Sequence, residues 1–297
     1  MKNPKMSSKK MRLNKMGILG WILCVILMVY AIGIIIPYVL AIMFSFKTNI
    51  DFNEHMFSLT KPSLNAFRDV IDQFKSGSVI LKDGSRAVYD FWGMTFNSFA
   101  YALGAAFTMT MIPCIASYCS ARFKFFLSPI LEYIVYFVMT VPLMGTTQST
   151  VQIFKTLHMY DSIPAMWFAK ASFTGMYFLL LHAQFKNLPN DYAEAAYVDG
   201  AGNFRIFFQI MLPLVSNTLT MMFVLNFVGL WSDYSSNLFF FPNKPTLALT
   251  LLNIKDSNIS TPTLMAASVY ICLPSLVLYI LFNDKFTTNL QIGGIKG

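Results

Sequence analysis

The sequence predicts an all-α membrane protein with six transmembrane helices, from its composition, its long apolar runs and the distribution of its charges. The chain has 297 residues, of which 56% are hydrophobic and 12% are charged. Because soluble domains carry about 25% charged residues, most of this chain is expected to lie in a lipid bilayer. A helix needs about 20 mostly apolar residues to cross a bilayer, and runs of this length recur along the sequence.

The predicted spans follow in order. They are 17–46, 91–121, 127–147, 163–183, 212–234 and 264–283. The first has no charged residue and exceeds the apolar core of about 7–15 residues found in a secretory signal, so we expect it to remain as a helix. The predicted organisation is a basic tail 1–16, a first transmembrane helix 17–46, a loop 47–90, a transmembrane core 91–284 of five helices with a polar loop 185–211, and a tail 285–297.

The basic residues predict the orientation of the chain. The net charge is +8, and six of the 22 Lys and Arg residues lie within the first 15 positions. Such a cluster before a span is typical of the cytoplasmic side, close to anionic lipid, which favours this interpretation over a nucleic-acid-binding arm. Six spans would place both termini in the cytoplasm, making the chain a multi-pass protein of the cell membrane. The cytoplasmic segments would hold twelve basic residues and the external ones nine.

The sequence lacks the common motifs for nucleotide binding, hydrolysis and zinc binding. No G-x-x-x-x-G-K-[ST] phosphate-binding loop is present, and no G-x-S-x-G or H-E-x-x-H occurs. The three histidines, His55, His158 and His182, are far apart. We therefore predict no catalytic residue and no metal site, and the sequence gives little support to a membrane-embedded enzyme.

Polar residues within spans are the usual indicators of function in a membrane protein. Lys170 lies inside the fourth span and must either face the protein interior or extend towards the surface. Five further residues are candidates to line a translocation pathway: Asn97, Ser98, Asn226, Trp231 and Asp233. Polar side chains also pack helices together, and tryptophans also anchor spans at the membrane surface, so both interpretations stay open.

The polar loop contains a short predicted helix. Its sequence, residues 190–214, is NDYAEAAYVDGAGNFRIFFQIMLPL. Asn190 or Asp191 could cap a helix, and Asp191 with Glu194 resembles a capping box. The helix should run to about Val198 and end at Gly200, which suits a left-handed C-terminal position. A helix this short is marginal alone, so it must pack against something.

A second amphipathic run follows, and the two together suggest a docking element. Asn203 is predicted to cap FRIFFQIML, which ends at Pro213. The first helix is predicted to place Tyr192, Ala195, Ala196 and Asp199 on one face. A face with small residues and a carboxylate fits a groove in another protein. The alternative, a helix resting on lipid, is disfavoured because anionic lipid would repel its acids.

The same loop resembles a known signature. Glu194-Ala195-Ala196, then Gly200, then Ile210, Leu212 and Pro213 reproduce the spacing of the E-A-A motif of permease subunits of ATP-binding-cassette (ABC) importers. Other stretches, among them 37–52, 97–125, 185–204, 264–286 and the terminal 293–297, look like the carbohydrate branch of this family, and within it the second, maltose-type permease subunit. The resemblance covers most of the chain.

The resemblance implies a fold, a function and a set of partners. The fold would be that of a type I ABC importer permease with a cytoplasmic coupling helix, and the function import of a sugar or oligosaccharide. The coupling residues would be Glu194, Ala195, Ala196, Asp199, Gly200, Ile210, Leu212 and Pro213. The partners would be a second permease subunit in a heterodimer, a dimer of ABC ATPase subunits and an extracytoplasmic sugar-binding protein.

The resemblance also implies which subunit binds the nucleotide. ATP and Mg would be bound by the ATPase, so that this chain would hold no cofactor and would not be an enzyme. Membrane lipid would surround it, and nucleic acid would not be a partner. The alternative function is a stand-alone, ion-coupled secondary transporter.

Overall fold

The computed structural model describes residues 17–58, 61–75, 78–80, 86–123, 128–141, 145–255 and 259–292. The predicted basic tail and the terminal 293–297 therefore lie outside the described residues. The elements, in order, are α1 (Ile18–Ser45), α2 (Asn49–Glu54), α3 (Asn65–Lys75), β1 (Ser78–Ile80), β2 (Arg86–Val88), α4 (Phe91–Arg122), α5 (Ser128–Thr140), α6 (Thr146–Thr156), α7 (Ile163–Lys170), α8 (Met176–Asn187), α9 (Asp191–Val198), α10 (Asn203–Ile206), a π-helical turn (Phe207–Met211), α11 (Leu212–Leu214), α12 (Ser216–Trp231), α13 (Tyr234–Phe240), α14 (Leu247–Lys255) and α15 (Thr261–Ile292).

The fold is helical, as predicted, with one small departure from an all-α chain. Strands β1 and β2 pair antiparallel within the segment 47–90, with Val79 opposite Ala87. Val and Ile are favoured in strands, which accounts for a short hairpin in this segment.

Three predicted spans form single long helices. These are α1, α4 and α15, which are long and apolar enough to cross a membrane. Each of these helices contains one proline in its interior, namely Pro37 in α1, Pro113 in α4 and Pro274 in α15. Proline is tolerated in membrane helices because neighbouring helices and local changes of helix geometry satisfy the backbone carbonyls that it leaves without a donor.

The other three of the six predicted spans are not single unbroken helices in the structure. Within the third, 127–147, helix α5 covers 13 residues and ends at Thr140, and α6 starts only at Thr146, after the left-handed Gly145. The fourth is divided into α7 and α8, with non-helical residues 171–175 between them. The fifth has a bend of 77° between Asn203–Leu214 and Ser216–Trp231. Counting each bent pair as one span, up to four described helices or pairs have the length and composition to cross.

Helix α4 is the centre of the bundle. It packs against α12, α8 and α7, while α15 packs against α1 and α12. One apolar cluster lies at the end of the bundle that carries the segment 47–90, and includes Tyr101, Phe227 and Trp231. We call this the loop end. A second cluster lies at the opposite end of α4, which we call the α9 end, and includes Tyr118 and Phe185.

Helix α7 approaches α4 closely at a glycine. A Cβ atom at Gly104 would lie 2.1 Å from Cε2 of Trp167, so only glycine fits there. The Trp167 indole donates from Nε1 to the Ala100 carbonyl at 3.0 Å, and Thr108 Oγ1 donates to the Trp167 carbonyl at 2.8 Å. These contacts fix α7, and with it Lys170, against the middle of α4.

Substituting Gly104→Val should lower the unfolding free energy of the purified protein by about 2 kcal/mol, because the rigid indole must move away from the new methyl groups. The measurement is thermal unfolding in detergent. Gly33→Val is the matched control, since a Cβ at Gly33 has no atom within 4 Å. Equal melting temperatures for the two variants would contradict this packing.

Candidate functional site

The short helix α9 ends where the sequence predicts. It covers Asp191–Val198, and Gly200 has a φ of +78°, in the left-handed region. The Gly200 N–H donates to the Tyr197 carbonyl at 3.0 Å, and the Ala201 N–H donates to the Ala196 carbonyl at 2.9 Å. This pair of bonds is a Schellman motif, which satisfies the last carbonyls of the helix and turns the chain sharply.

The start of α9 differs from the prediction, because no capping box forms. Asn190 is the N-cap residue, but its side chain makes no capping hydrogen bond. Its Oδ1 instead accepts from Arg122 Nη1 at the end of α4, and Arg122 Nη2 donates to the Leu188 carbonyl at 2.8 Å. The joint between α8 and α9 is therefore held by a neighbouring helix rather than by its own side chains.

The exposed face of α9 also differs from the prediction. Ala196 is only 7% exposed and belongs to the apolar cluster at the α9 end, together with Ile206 and Phe207. It cannot share an outward face with Ala195, which is exposed, as are Tyr192 and Asp199. Consecutive residues of a helix point about 100° apart, so one of two adjacent alanines faces inward when the helix packs on its own chain.

Glu194 is one of two acidic residues, with Asp191, that α9 exposes to solvent. Its side chain is exposed, and no hydrogen bond or ion pair joins it to any residue that the structure describes. An exposed carboxylate without a partner among the described residues can accept hydrogen bonds from a cation of another protein.

The second run, from Asn203 to Leu214, returns the chain to the bundle. Asn203 begins α10 without capping it, because Gly202 is the N-cap residue and the Asn203 Oδ1 accepts from the Tyr197 hydroxyl. Ile210 and Leu212 are partly buried against the cluster at the α9 end. Pro213 is exposed and lies just before the bend, where its missing N–H removes one helical hydrogen bond.

Two of the predicted pathway residues hold a loop at the other end of the bundle. Asn97 Nδ2 donates to the Pro245 carbonyl at 3.1 Å. Ser98 is buried, and its hydroxyl accepts from the Leu247 N–H at 2.9 Å. Both side chains thus fix the segment that connects α13 and α14 against α4.

Asn226 and Trp231 join helices. Asn226 Nδ2 donates to Thr110 Oγ1 at 3.3 Å, between α12 and α4. Trp231 is only 3% exposed, and its Nε1 donates to the Ile271 carbonyl at 2.7 Å. Its indole therefore lies between α12 and α15, with its ring centroid 4.7 Å from that of Phe99.

Asp233, the fifth candidate, is the centre of a polar cluster. Its Oδ2 is 3.4 Å from Lys170 Nζ and accepts from the Tyr101 hydroxyl at 2.9 Å. Its Oδ1 accepts from the Ser236 N–H at 3.0 Å and so caps α13. The sequence indicated both charged residues but not their pairing, although an opposite charge in another span is the usual partner of a lysine in a membrane.

A cavity of about 170 Å³ opens beside this cluster, at the break between α7 and α8. It is lined by Lys170, by the hydroxyl residues Ser172 and Thr174, and by apolar residues that include Met109 and Phe178. Non-helical backbone at membrane depth is tolerated only inside protein or beside a water-filled cavity, and this break fits that rule.

A second ionisable pair lies between α5 and α8. His182 is buried, its Nε2 is 3.3 Å from Glu132 Oε1, and its ring stacks on Phe178 with centroids 5.8 Å apart. The sequence shows His182 only as one of three histidines that lie far apart, because spacing along the chain does not show which spans are neighbours.

With this geometry established, comparison with known proteins decides the family. Residues 109–284, more than half of the chain, match the family of binding-protein-dependent transport system inner membrane components. The chain belongs to this family. It is therefore a membrane-embedded permease of a binding-protein-dependent ABC importer. Such permeases are transport subunits rather than enzymes, and they act with a partner permease, an ATPase and a substrate-binding protein.

Several curated relatives are similar over most of their length. The maltodextrin transport system permease protein MalD of Streptococcus pneumoniae is 28% identical over 276 residues, covering 90% of this chain and 92% of MalD. The diacetylchitobiose uptake system permease protein NgcG of Streptomyces coelicolor is 24% identical, covering 91% of this chain and 87% of NgcG. The sn-glycerol-3-phosphate permease protein UgpE of Yersinia enterocolitica is 27% identical over 208 residues, covering 66% of this chain and 72% of UgpE.

A solved structure shows the same fold. It is a bacterial ABC transporter involved in the import of the acidic polysaccharide alginate, with a TM-score of 0.70, 17% identity, and coverage of 90% of this chain and 96% of that one. The helical importer-permease fold predicted from the sequence is thus confirmed. Membership of this family also rules out the alternative of a stand-alone secondary transporter.

Proposed function

We propose that this chain imports a sugar or oligosaccharide and that α9 is its coupling helix for a separate ATPase. The names of MalD and NgcG, a maltodextrin and a diacetylchitobiose permease, support the substrate class. The coupling role is supported by Glu194, which is exposed and has no partner among the described residues, on a short helix at one end of the bundle that a Schellman motif ends. ATP and Mg would bind to the ATPase, and this chain would hold no cofactor.

The coupling residues divide by what they contact. Glu194, Ala195 and Asp199 are exposed and would contact the ATPase, while Gly200 ends the helix. The remaining four, Ala196, Ile210, Leu212 and Pro213, would transmit movement, since three of them pack into the apolar cluster and Pro213 lies at the bend. This arrangement lets a displacement of α9 reach α4, α8 and α12 through packed side chains.

The topology is part of this proposal. The α9 end would lie at the cytoplasm, with both termini, and the segment 47–90 would face outward. Six crossings would then be made, three of them by the interrupted helices. A second permease subunit would form a heterodimer with this chain and complete the pathway, and two ATPase subunits would bind on the cytoplasmic side.

The translocation pathway would pass the break between α7 and α8. The cavity there has hydroxyl side chains and an ammonium group that is neutralised by Asp233, which suits an uncharged, hydroxyl-rich solute. The other four candidates, Asn97, Ser98, Asn226 and Trp231, would shape this pathway indirectly, because their polar atoms already bond within the chain.

The test is charge reversal on α9. Glu194→Lys in the assembled transporter should leave the protein in the membrane but reduce sugar uptake at least roughly tenfold, because a like charge would repel a cation of the ATPase cleft. Uptake and ATP hydrolysis are measured together in proteoliposomes that contain the complex and its binding protein.

Glu54→Lys provides the control, as an equal charge reversal on exposed α2 at the other end of the bundle. It should keep the wild-type ratio of solute imported to ATP hydrolysed. Wild-type uptake by Glu194→Lys would remove Glu194 from the coupling role.

A further inference from the structure

We propose that Arg122 is the positioning residue that fixes the coupling helix to the central membrane helix α4. Neither the E-A-A motif nor the predicted coupling set includes it. The inference rests on the proposed function of α9 and adds the connection through which α9 would act on the bundle.

Arg122 hydrogen-bonds to both sides of the connection between α8 and α9. It is the last residue of α4, and its two Nη atoms donate to acceptors on either side of Pro189. One is the Leu188 carbonyl, where α8 ends, and the other is the Asn190 side chain, where α9 begins. A planar guanidinium holds its N–H donors in a rigid fork, so it fixes the directions of two acceptors more strictly than a freely rotating ammonium group.

The acceptors are groups that would otherwise serve the helices themselves. The last carbonyls of a helix lack intrahelical donors, and Leu188 receives one from Arg122. An N-cap asparagine normally accepts from its own helix, but here Asn190 has helical backbone angles and bonds to Arg122 instead. The first turn of α9 is therefore oriented from α4.

Aromatic packing next to Arg122 also holds α4 against α8 and the π-helical turn. The Tyr118 ring lies 5.4 Å from the Phe185 ring and 4.8 Å from the Phe207 ring, between centroids. These rings belong to α4, α8 and the π-helical turn. Apolar packing holds the elements together, and the directional bonds of Arg122 set the angle at which α9 leaves them.

The experiment uses the complete transporter in proteoliposomes, with binding protein, and measures solute imported per ATP hydrolysed. Arg122→Gln should lower this ratio roughly tenfold, the effect expected when a bond to a charged group of this strength is lost, while ATP hydrolysis continues. Arg122→Lys keeps the charge but not the rigid planar fork, so an intermediate ratio is expected. Lys186→Gln removes a nearby exposed charge from α8 and should keep the wild-type ratio.

The acceptor side tests the same bond without altering α4. Asn190→Asp keeps an acceptor and should keep the ratio. Asn190→Leu removes one of the two acceptors of Arg122, so it should lower the ratio, though by less than Arg122→Gln. The double variant should be no worse than Arg122→Gln. A wild-type ratio in Asn190→Leu would overturn the proposal, and so would one in Arg122→Gln. If Glu194→Lys uncouples transport while these variants do not, only the role of Arg122 fails; if Glu194→Lys also has no effect, the coupling role of α9 fails.

Discussion

Replacement of Asp233 by leucine is expected to lower the unfolding free energy by about 3 kcal/mol, a larger cost than a surface charge would give. Three losses combine. The Lys170 ammonium loses its ion-pair partner, the Tyr101 hydroxyl loses an acceptor in a buried environment, and α13 loses its N-cap. A lost N-cap alone costs about 1 kcal/mol, and an unsatisfied buried hydroxyl about 1–3 kcal/mol.

The substitutions around Asp233 should form a graded series. Asp233→Asn keeps an oxygen that can cap α13 and accept from Tyr101, so it should cost about 1 kcal/mol. Lys170→Met should also cost less than Asp233→Leu, because the remaining carboxylate still accepts from Tyr101 and Ser236. The centre of the cluster is therefore the acid, and the lysine is one of its several donors.

Thermal unfolding of the complex in detergent measures this series. Asp69→Leu is the matched control, as an exposed acid on α3, and should change stability by less than about 0.5 kcal/mol. If Lys170→Met proved more costly than Asp233→Leu, the hydrogen-bond network drawn around Asp233 would be incorrect.

The sequence was sufficient for features that depend on local chemistry. Long apolar runs predicted α1 and α4 nearly to the residue, and the position of Gly200 predicted where α9 ends. Both follow from the chain itself: hydrophobic length decides whether a helix can span, and a left-handed turn requires glycine.

Features that depend on neighbouring helices were missed. The local sequence predicts Asn190 as a capping residue, but its side-chain oxygen accepts a hydrogen bond from Arg122, which lies 68 residues earlier in the chain. Likewise, the expected outward face of α9 included Ala196, which packs into the apolar cluster. Local spacing shows which side chains share a face of a helix, but not which face the bundle covers.

The interrupted spans were missed for a related reason. Residues 163–183 are apolar enough for one helix, yet 171–175 contain Ser, Thr and Gly, which hold a helix weakly. Since hydropathy averages over such a stretch, it cannot separate a continuous helix from a broken one. Close packing of α7 on α4 at Gly104 then favours the break.

The second large effect is predicted for the replacement of Lys47, a buried lysine in the segment 47–90. Lys47 is 0% exposed, its Nζ is 3.5 Å from Asp51 Oδ2, and it donates to the carbonyls of Ser58, at 2.6 Å, and His55. Lys47→Met should destabilise this part of the loop by about 3 kcal/mol, because a buried carboxylate loses its ion-pair partner and two carbonyls lose their donor. Hydrogen exchange of residues 47–58 is the measurement, with exposed Lys61→Met as control.

The double variant Lys47→Met with Asp51→Leu separates the charge from the hydrogen bonds. Removing both charges of a buried pair is often nearly neutral, so protection should recover in part. It should not recover fully, because the carbonyls of His55 and Ser58 still lack the donor that fixed the turn. Full recovery would mean that the ion pair alone accounts for the role of Lys47, whereas no recovery would mean that the carbonyl contacts alone do.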